Sequence, residues 1–386
     1  MNPGDPMETT SVHEQWMRRC LELARRGAGH VSPNPMVGAA LVGPDGTLLG
    51  EGLHGAYGGS HAEVNAVAEA ERRHGAEALR SATLYVTLEP CSHHGKTPPC
   101  ADLILAKGIP RVVAGMTDPF PAVAGRGLAR LRARGVEVIE GVLEKECRRL
   151  NEAFVHHVRT GRPLVTVKTA QTLDGRIATV TGDARWVSGK ASRRLVHRWR
   201  SELDAVLVGS GTARADDPAL TVRHVAGRQP VRLVLDRTGA LPPTLKLFTD
   251  AFAAHTVAVV GPEARPAYAG ALRARGGRLL RIPLTAGGRL DLLALLEHLG
   301  REPVRPEGRP VQSLLVEAGP GLAGALFRRD LVDRFFLFVA PKLLGDGVPA
   351  LSPLGLERMR DAIPFAEHRW ETVGEDLLFR GYRRAV

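Results

Sequence analysis

Short runs of branched apolar residues alternate with stretches of helical spacing along nearly the whole chain, and they do so in two batches. VGAALV at 37–42, TLLGEGL at 47–53, TLYVTL at 83–88, RVVAGM at 111–116 and VEVIEG at 136–141 read as strands. The first two meet across Pro44-Asp45-Gly46, a hairpin-type turn. Residues 61–74, 101–107 and 125–134 carry helical spacing, and an earlier helix opens on Ser11 and Glu14 as a capping box. The first ten residues are expected to be a frayed tail. A hairpin followed by strand–helix units predicts an α/β sheet covered on both faces. A polar connector over 143–160 then runs into Thr160-Gly161-Arg162-Pro163, where Gly and Pro interrupt the pattern. A second batch follows, with strands at 164–170, 205–209, 231–236, 256–261, 313–319 and 334–340. Helical stretches near 189–200, 264–275, 290–299 and 320–329 separate several of them, and 301–310 reads as a loop. The 386 residues therefore predict two α/β domains, 11–150 and 162–386.

The first batch carries the strongest chemical pattern: His61-Ala62-Glu63, then Glu89-Pro90-Cys91, then Pro98-Pro99-Cys100. One imidazole and two thiolates are three good zinc ligands, and three leave a position for water, as catalytic sites do. Glu63 stands two residues after His61, which on a helix is a different face, so it is a poor co-ligand. It suits proton transfer between water and a leaving amine. His-x-Glu with Pro-Cys-x-x-Cys is the zinc nucleobase-deaminase signature, here with SHHGKTPP inserted between the cysteines. Two plainer readings stand beside it: a closed structural site with His93 or His94 as fourth ligand, or ordinary buried residues. The other cysteines are Cys20 and Cys147. In a long chain with no secretory leader, none is expected to join a disulfide framework.

No apolar run is long enough to span a membrane, so a cytoplasmic protein is expected. The formal charge of +11 raises nucleic acid as a partner. Aromatic residues are only 5%, poor for stacking bases, and the arginines are spread along the chain. A solvated basic surface is preferred, with a few arginines left to meet a small phosphorylated substrate. A nucleic-acid base deaminase with a basic C-terminal binding domain is the competing reading.

VTLEPCSHHGKTPPC at 86–100, SPNPMVGAALV at 32–42 and TDPFPAVAGRG at 117–127 resemble the bifunctional riboflavin-biosynthesis deaminase–reductase family. KTAQTLDGRIA at 168–178, GDARWVS at 182–188, GSGTARADDPALTVR at 209–223 and VEAGPGLAGAL at 316–326 extend the likeness through the second half. The resemblance implies a cytidine-deaminase-like N-terminal domain and a dihydrofolate-reductase-like C-terminal domain. It implies one Zn²⁺ on His61, Cys91 and Cys100, Glu63 as proton donor, and Asn34 in the base pocket. It implies NADPH against Ala170, Trp186, Thr212, Asp216 and the run Gly319, Pro320, Gly321, Leu322, Ala323, Gly324 and Ala325. Arg200, Leu220, Arg223 and Glu317 would meet a ribosylamino-pyrimidine 5′-phosphate. Ala184 stands where the family usually has a serine that touches this substrate, and Lys168 is either catalytic or structural. Gly319 to Gly324 is also literally G-x-G-x-x-G after a strand, suited to a phosphate at a helix start. No nucleic acid or membrane partner is implied, and self-association is left open.

Overall fold

The computed structural model describes residues 6–93, 98–121 and 124–385, with side chains from Ser11 onward. The chain divides into two compact units between Thr160 and Gly161.

The first unit comprises α1 (Pro6–Arg25), β1 (Gly38–Val42), β2 (Leu48–Leu53), α2 (Ala62–His74), β3 (Thr83–Val86) and α3 (Cys100–Ala106). It continues with β4 (Arg111–Ala114), α4 (Arg126–Arg132), β5 (Glu137–Glu140), α5 (Glu144–Leu150) and α6 (Glu152–Thr160). The sheet order is β2-β1-β3-β4-β5; the hairpin strands are antiparallel and β3, β4 and β5 parallel. Alternate residues of each strand enter two cores. Ala39, Leu41, Leu84, Val86, Val112 and Ala114 meet Ala62, Ala66 and Ala70 of α2. Ala40, Val42, Tyr85 and Val113 meet Met17, Cys20 and Leu21 of α1. Burial on both faces is why these strands read as unbroken apolar runs. A Cβ on Gly50 or Gly52 of β2 would strike the main chain of α2. Those glycines let the helix lie directly on the sheet, which fixes its first turn.

Two boundaries differ from the sequence reading. α1 begins at Pro6, where a proline is tolerated in the first turn, so Ser11 and Glu14 lie inside it. The first unit runs on to Thr160, past the predicted limit at 150. Asn151, 2% exposed, explains why: its Oδ1 accepts from Met36 N at 2.8 Å and its Nδ2 donates to Met36 O at 2.9 Å. Val155 of α6 enters the α1-side core.

The second unit opens with β6 (Leu164–Thr172), β7 (Arg176–Ala178), α7 (Lys190–Glu202), β8 (Ala205–Gly209), α8 (Ser210–Asp216) and β9 (Val231–Leu235). α9 (Lys246–Thr249), β10 (Thr256–Val260), α10 (Pro266–Arg273), β11 (Arg278–Arg281), α11 (Leu292–Arg301) and β12 (Ser313–Glu317) follow. α12 (Pro320–Arg328), β13 (Arg334–Ala340), β14 (Val348–Pro349), β15 (Glu367–Val373) and β16 (Asp376–Tyr382) complete it. The nine-stranded sheet runs β11-β10-β9-β8-β12-β6-β13-β16-β15, parallel except for the last two pairings. Val165, Val167, Leu207, Leu233, Leu314 and Val316 face α11 and α12; Val206, Val208, Val234, Leu315 and Phe338 face α7 through Val196 and Trp199. The segment after α11 is tied down by Arg305, 3% exposed, which meets Asp204 at 2.8 Å. It is a loop within the unit, as expected.

Candidate active sites

In the first unit, α2 and α3 both begin at the end of the sheet where β3 and β4 terminate. His61 is the residue before α2, and Cys100 is the first of α3. Cys91 follows β3 by five residues. The ligand atoms of His61, Cys91 and Cys100 all lie within 4.8 Å of one another. His61 Nδ1 is 3.3 Å from Cys100 Sγ and 3.7 Å from Cys91 Sγ. Ligands on a tetrahedral zinc are about 3.5–3.8 Å apart, so the donor set and its spacing fit that ion. Cys100 Sγ and Cys100 N–H both donate to Cys91, and His61 lies beside it, so the Cys91 thiol is held well below the usual thiol range. One thiolate is thus stabilised by the protein itself, as a metal ligand requires. His93 is not among the clustered donors: its ring lies against Phe120. His94 falls outside the described residues.

Glu63 occupies the first turn of α2, 4% exposed, and burial raises its carboxyl above the usual range. Asn34 Nδ2 is 3.1 Å from His54 Nε2, and His54 Nδ1 is 3.0 Å from the Ser60 carbonyl. Donation from Nδ1 to that carbonyl makes Nε2 the acceptor for Asn34. Asn34 Oδ1 then has no protein donor among the described residues. His54 is buried, and its ring stands edge-on to His61, 5.7 Å between centroids.

Two roles here escaped the sequence reading. His54 directly follows β2 and belongs to no motif. Glu89, beside Pro90 and Cys91, accepts four backbone N–H groups, from Asp118 at 3.1 Å, Gly125 at 2.8 Å, Gly127 at 2.8 Å and Leu128 at 3.4 Å. It fixes the loop after β4 against the cysteine loop. Replacing Cys91 by Ala should lower zinc affinity by more than the about 10–100-fold lost when a ligand's supporting partner is removed. Because metal binding and folding are coupled, the first unit should melt earlier and the second unchanged. Elemental analysis and a two-phase melt would check it; stoichiometric zinc in the variant excludes Cys91 as a ligand.

In the second unit the carboxyl ends of β6, β8 and β12 border a cavity of about 1480 Å³. Ala170, Ala184, Trp186, Arg200, Thr212, Asp216, Leu220, Arg223 and Glu317 all line it, as do Lys168 and Gly319, Pro320, Gly321, Leu322 and Ala325. Ala323 and Gly324 do not. Ala323 is fully buried in the core, and a Cβ on Gly324 would strike Ser352. α12 begins at Pro320, and its 3.6-residue turn directs Ala323 into the core while Gly324 packs against Ser352. Leu220 has φ +52° and its side chain, 2% exposed, belongs to the core.

Arg200 is gripped by Glu317 in a two-pronged pair, 2.5 Å and 2.9 Å, and donates to the Thr221 carbonyl at 3.0 Å. The Arg200 and Lys168 charges hold Glu317 below the usual carboxylate range against its burial. Glu317 and Lys168 are register neighbours on β12 and β6, and burial lowers the Lys168 ammonium's hold on its proton. Arg193 stacks over Trp186 at 4.5 Å. Burial raises the Asp216 carboxyl. No helix among the described residues is long and apolar enough to cross a membrane.

Residues 10–116 match the cytidine and deoxycytidylate deaminase zinc-binding region, and residues 163–379 match the RibD C-terminal domain. The riboflavin biosynthesis protein RibD of Actinobacillus pleuropneumoniae is 40% identical over 373 residues, 96% of this chain and 95% of that protein. RibD of Escherichia coli K12 is 40% identical over 94% of this chain and 97% of its own. Among solved structures, Acinetobacter baumannii RibD superposes with a TM-score of 0.83 at 35% identity, covering 97% of this chain and 99% of that one. A Thermotoga maritima diaminohydroxyphosphoribosylaminopyrimidine deaminase/5-amino-6-(5-phosphoribosylamino)uracil reductase gives 0.82 at 37%, with the same coverage. The second half is thus matched as a reductase domain, and the idea of a basic nucleic-acid module loses its ground. With both halves matched in one order over nearly its full length, the chain belongs to the RibD family of bifunctional riboflavin-biosynthesis proteins.

Proposed function

We propose that His61, Cys91 and Cys100 hold the zinc of a hydrolytic deaminase in which Glu63 moves the protons, and that the second cavity takes NADPH and a sugar phosphate side by side. The chain then performs two steps. It deaminates 2,5-diamino-6-ribosylamino-4(3H)-pyrimidinone 5′-phosphate and reduces the ribosyl group to ribityl. The observation that carries this reading is the pairing of two unlike sites in separate units. One is a His/Cys/Cys cluster with a buried carboxyl; the other exceeds the about 300–1,000 Å³ usual for one small ligand.

Zinc, when bound, acts as a Lewis acid that brings the pKa of a water toward about 7. Glu63 takes a proton from the attacking water and passes it to the leaving amine; a C–O bond forms, the C–N bond breaks and ammonia departs. Its burial suits it to hold that proton between the two events. Asn34, oriented by His54, offers Oδ1 to the base. NADPH, when bound, supplies a hydride to the ribosyl carbon. The turn at Gly319 to Leu322 presents main-chain N–H groups to its phosphates, and Arg223 meets the substrate phosphate.

Incubation with the diaminopyrimidinone phosphate tests the whole reading. Without NADPH the product should show an amine replaced by a carbonyl oxygen; with NADPH it should gain two further hydrogens. A zinc-loaded protein that leaves the amine in place defeats it. Gly321→Val tests the cofactor turn. A Cβ there meets no heavy atom within 4 Å, so the fold accepts it. NADPH affinity should drop about tenfold, about 1.4 kcal/mol, in a fluorescence titration while deamination persists. Unaltered affinity removes this turn from the cofactor site.

A further inference from the structure

Where α7 faces the loop 217–224, the cavity wall carries two histidines that the mechanism leaves without a task. His197 lies one helical turn before Arg200 and is 4% exposed. Its Nδ1 accepts the backbone N–H of Arg223 at 3.3 Å. Its ring meets that of His224 edge-on, with centroids 4.5 Å apart. Both histidines line the cavity together with Arg200 and Arg223, and His224 is exposed to it.

The charges there are unevenly matched. Arg200 is committed to Glu317 and the Thr221 carbonyl. The Arg223 guanidinium has no carboxylate or carbonyl partner among the described residues. Lys168 on β6 adds a third cationic group, with the carboxylates of Glu317 and Asp376 acting on it. Burial, with Arg200 and Arg223 beside it, pushes His197 down to about 4, so its ring is neutral at physiological pH. With Nδ1 an acceptor, its proton sits on Nε2. His197 therefore contributes shape and an acceptor rather than another charge. It holds the main chain that presents Arg223 and supplies the surface on which His224 rests. An exposed arginine on an untethered loop loses side-chain freedom when it binds, and tethering reduces that cost.

We propose that His224 donates a ring N–H to the substrate's phosphate beside Arg223, and that His197 is the positioning residue that aims both. This rests on the reading that the Arg223 end of the cavity takes the phosphate. The pair then selects phosphorylated over dephosphorylated substrate.

The test is reductase kinetics of the full-length protein on 5-amino-6-ribosylamino-uracil 5′-phosphate and on its dephosphorylated nucleoside. In His224→Ala the ratio of kcat/KM for the two should fall roughly tenfold, mostly through KM, the scale of one hydrogen bond to a charged group. His224→Gln, which keeps an N–H donor, should recover part of it. His197→Leu should lose the same discrimination, and His197→Asn should restore it, because its carboxamide oxygen replaces Nδ1 as acceptor. An unchanged ratio in His224→Ala, or equal loss on both substrates, overturns the proposal. Arg223→Ala tells the two failures apart. If it lowers both substrates equally, the phosphate lies elsewhere and the underlying reading fails. If it lowers the ratio while His224→Ala does not, only the histidine assignment fails.

Discussion

Glu63→Gln should retain stoichiometric zinc and full reductase activity while deamination falls by about 10²–10⁴-fold, the usual contribution of a positioned acid–base group. The amide keeps the shape of the buried side chain and its place in the first turn of α2. It removes only the ability to accept and return a proton. The proposed metal donors are the neighbouring imidazole and two thiols, whose ligand atoms cluster without the carboxylate. Zinc analysis beside the two activities would decide the matter. Loss of zinc would make Glu63 a ligand, and retained deamination would place the proton transfer elsewhere.

Glu317→Gln should destabilise the second unit by about 3–5 kcal/mol, the cost of stripping one partner from a buried ion pair. Arg200 and Glu317 side chains are only 10% and 15% exposed, so the remaining guanidinium has little water to turn to. Reductase activity should fall with it, since Arg200 bridges α7 to β12 at the cavity wall. Denaturant titration of the second unit would read the loss. In the parent protein the same pair imposes a pH dependence. The Glu317 carboxyl holds its proton less tightly when folded than when unfolded. Its stabilisation is complete above the unfolded value, about 4.3, and drains away as the pH falls through the folded value. The variant should lack that acid limb. A midpoint unchanged near neutral pH would show that the pair contributes no net stability.

Where chemistry is written in neighbouring residues, the sequence was readable. His61 and Glu63 stand two apart, the cysteines sit on Pro-Cys turns, and both halves alternate strand and helix. What it concealed is of two kinds. Some elements lie at the rim of the sheet, where little apolar surface is buried. β15, read off as EHRWETV, is mostly exposed, and β11 is RLLR; neither has the branched apolar run that marks an inner strand. α8, SGTARAD, is short and opens on Ser-Gly with no apolar stripe, so no helical spacing announces it. The other kind is pairing over distance. Arg200 and Glu317 are 117 residues apart, and no local pattern announces that they meet. Glu89 grips the loop 118–128 in the same way. Ala323 and Gly324 fit a glycine-rich fingerprint by letter, while the phase of α12 assigns them to the core.

The strand order of the second unit also governs how it can be made. β6 ends at Thr172, yet its partners on either side are β12, ending at Glu317, and β13, ending at Ala340. At about 5–20 residues per second, a ribosome delivers the first of those neighbours about 7–30 s after β6 has emerged. The first unit, whose strands pair within 38–140, is complete by then. For that interval β6 is an apolar strand with two vacant edges, open to chaperones and to other nascent chains. A message truncated between codons 172 and 313 would release a folded deaminase unit tethered to an unpaired, aggregation-prone strand.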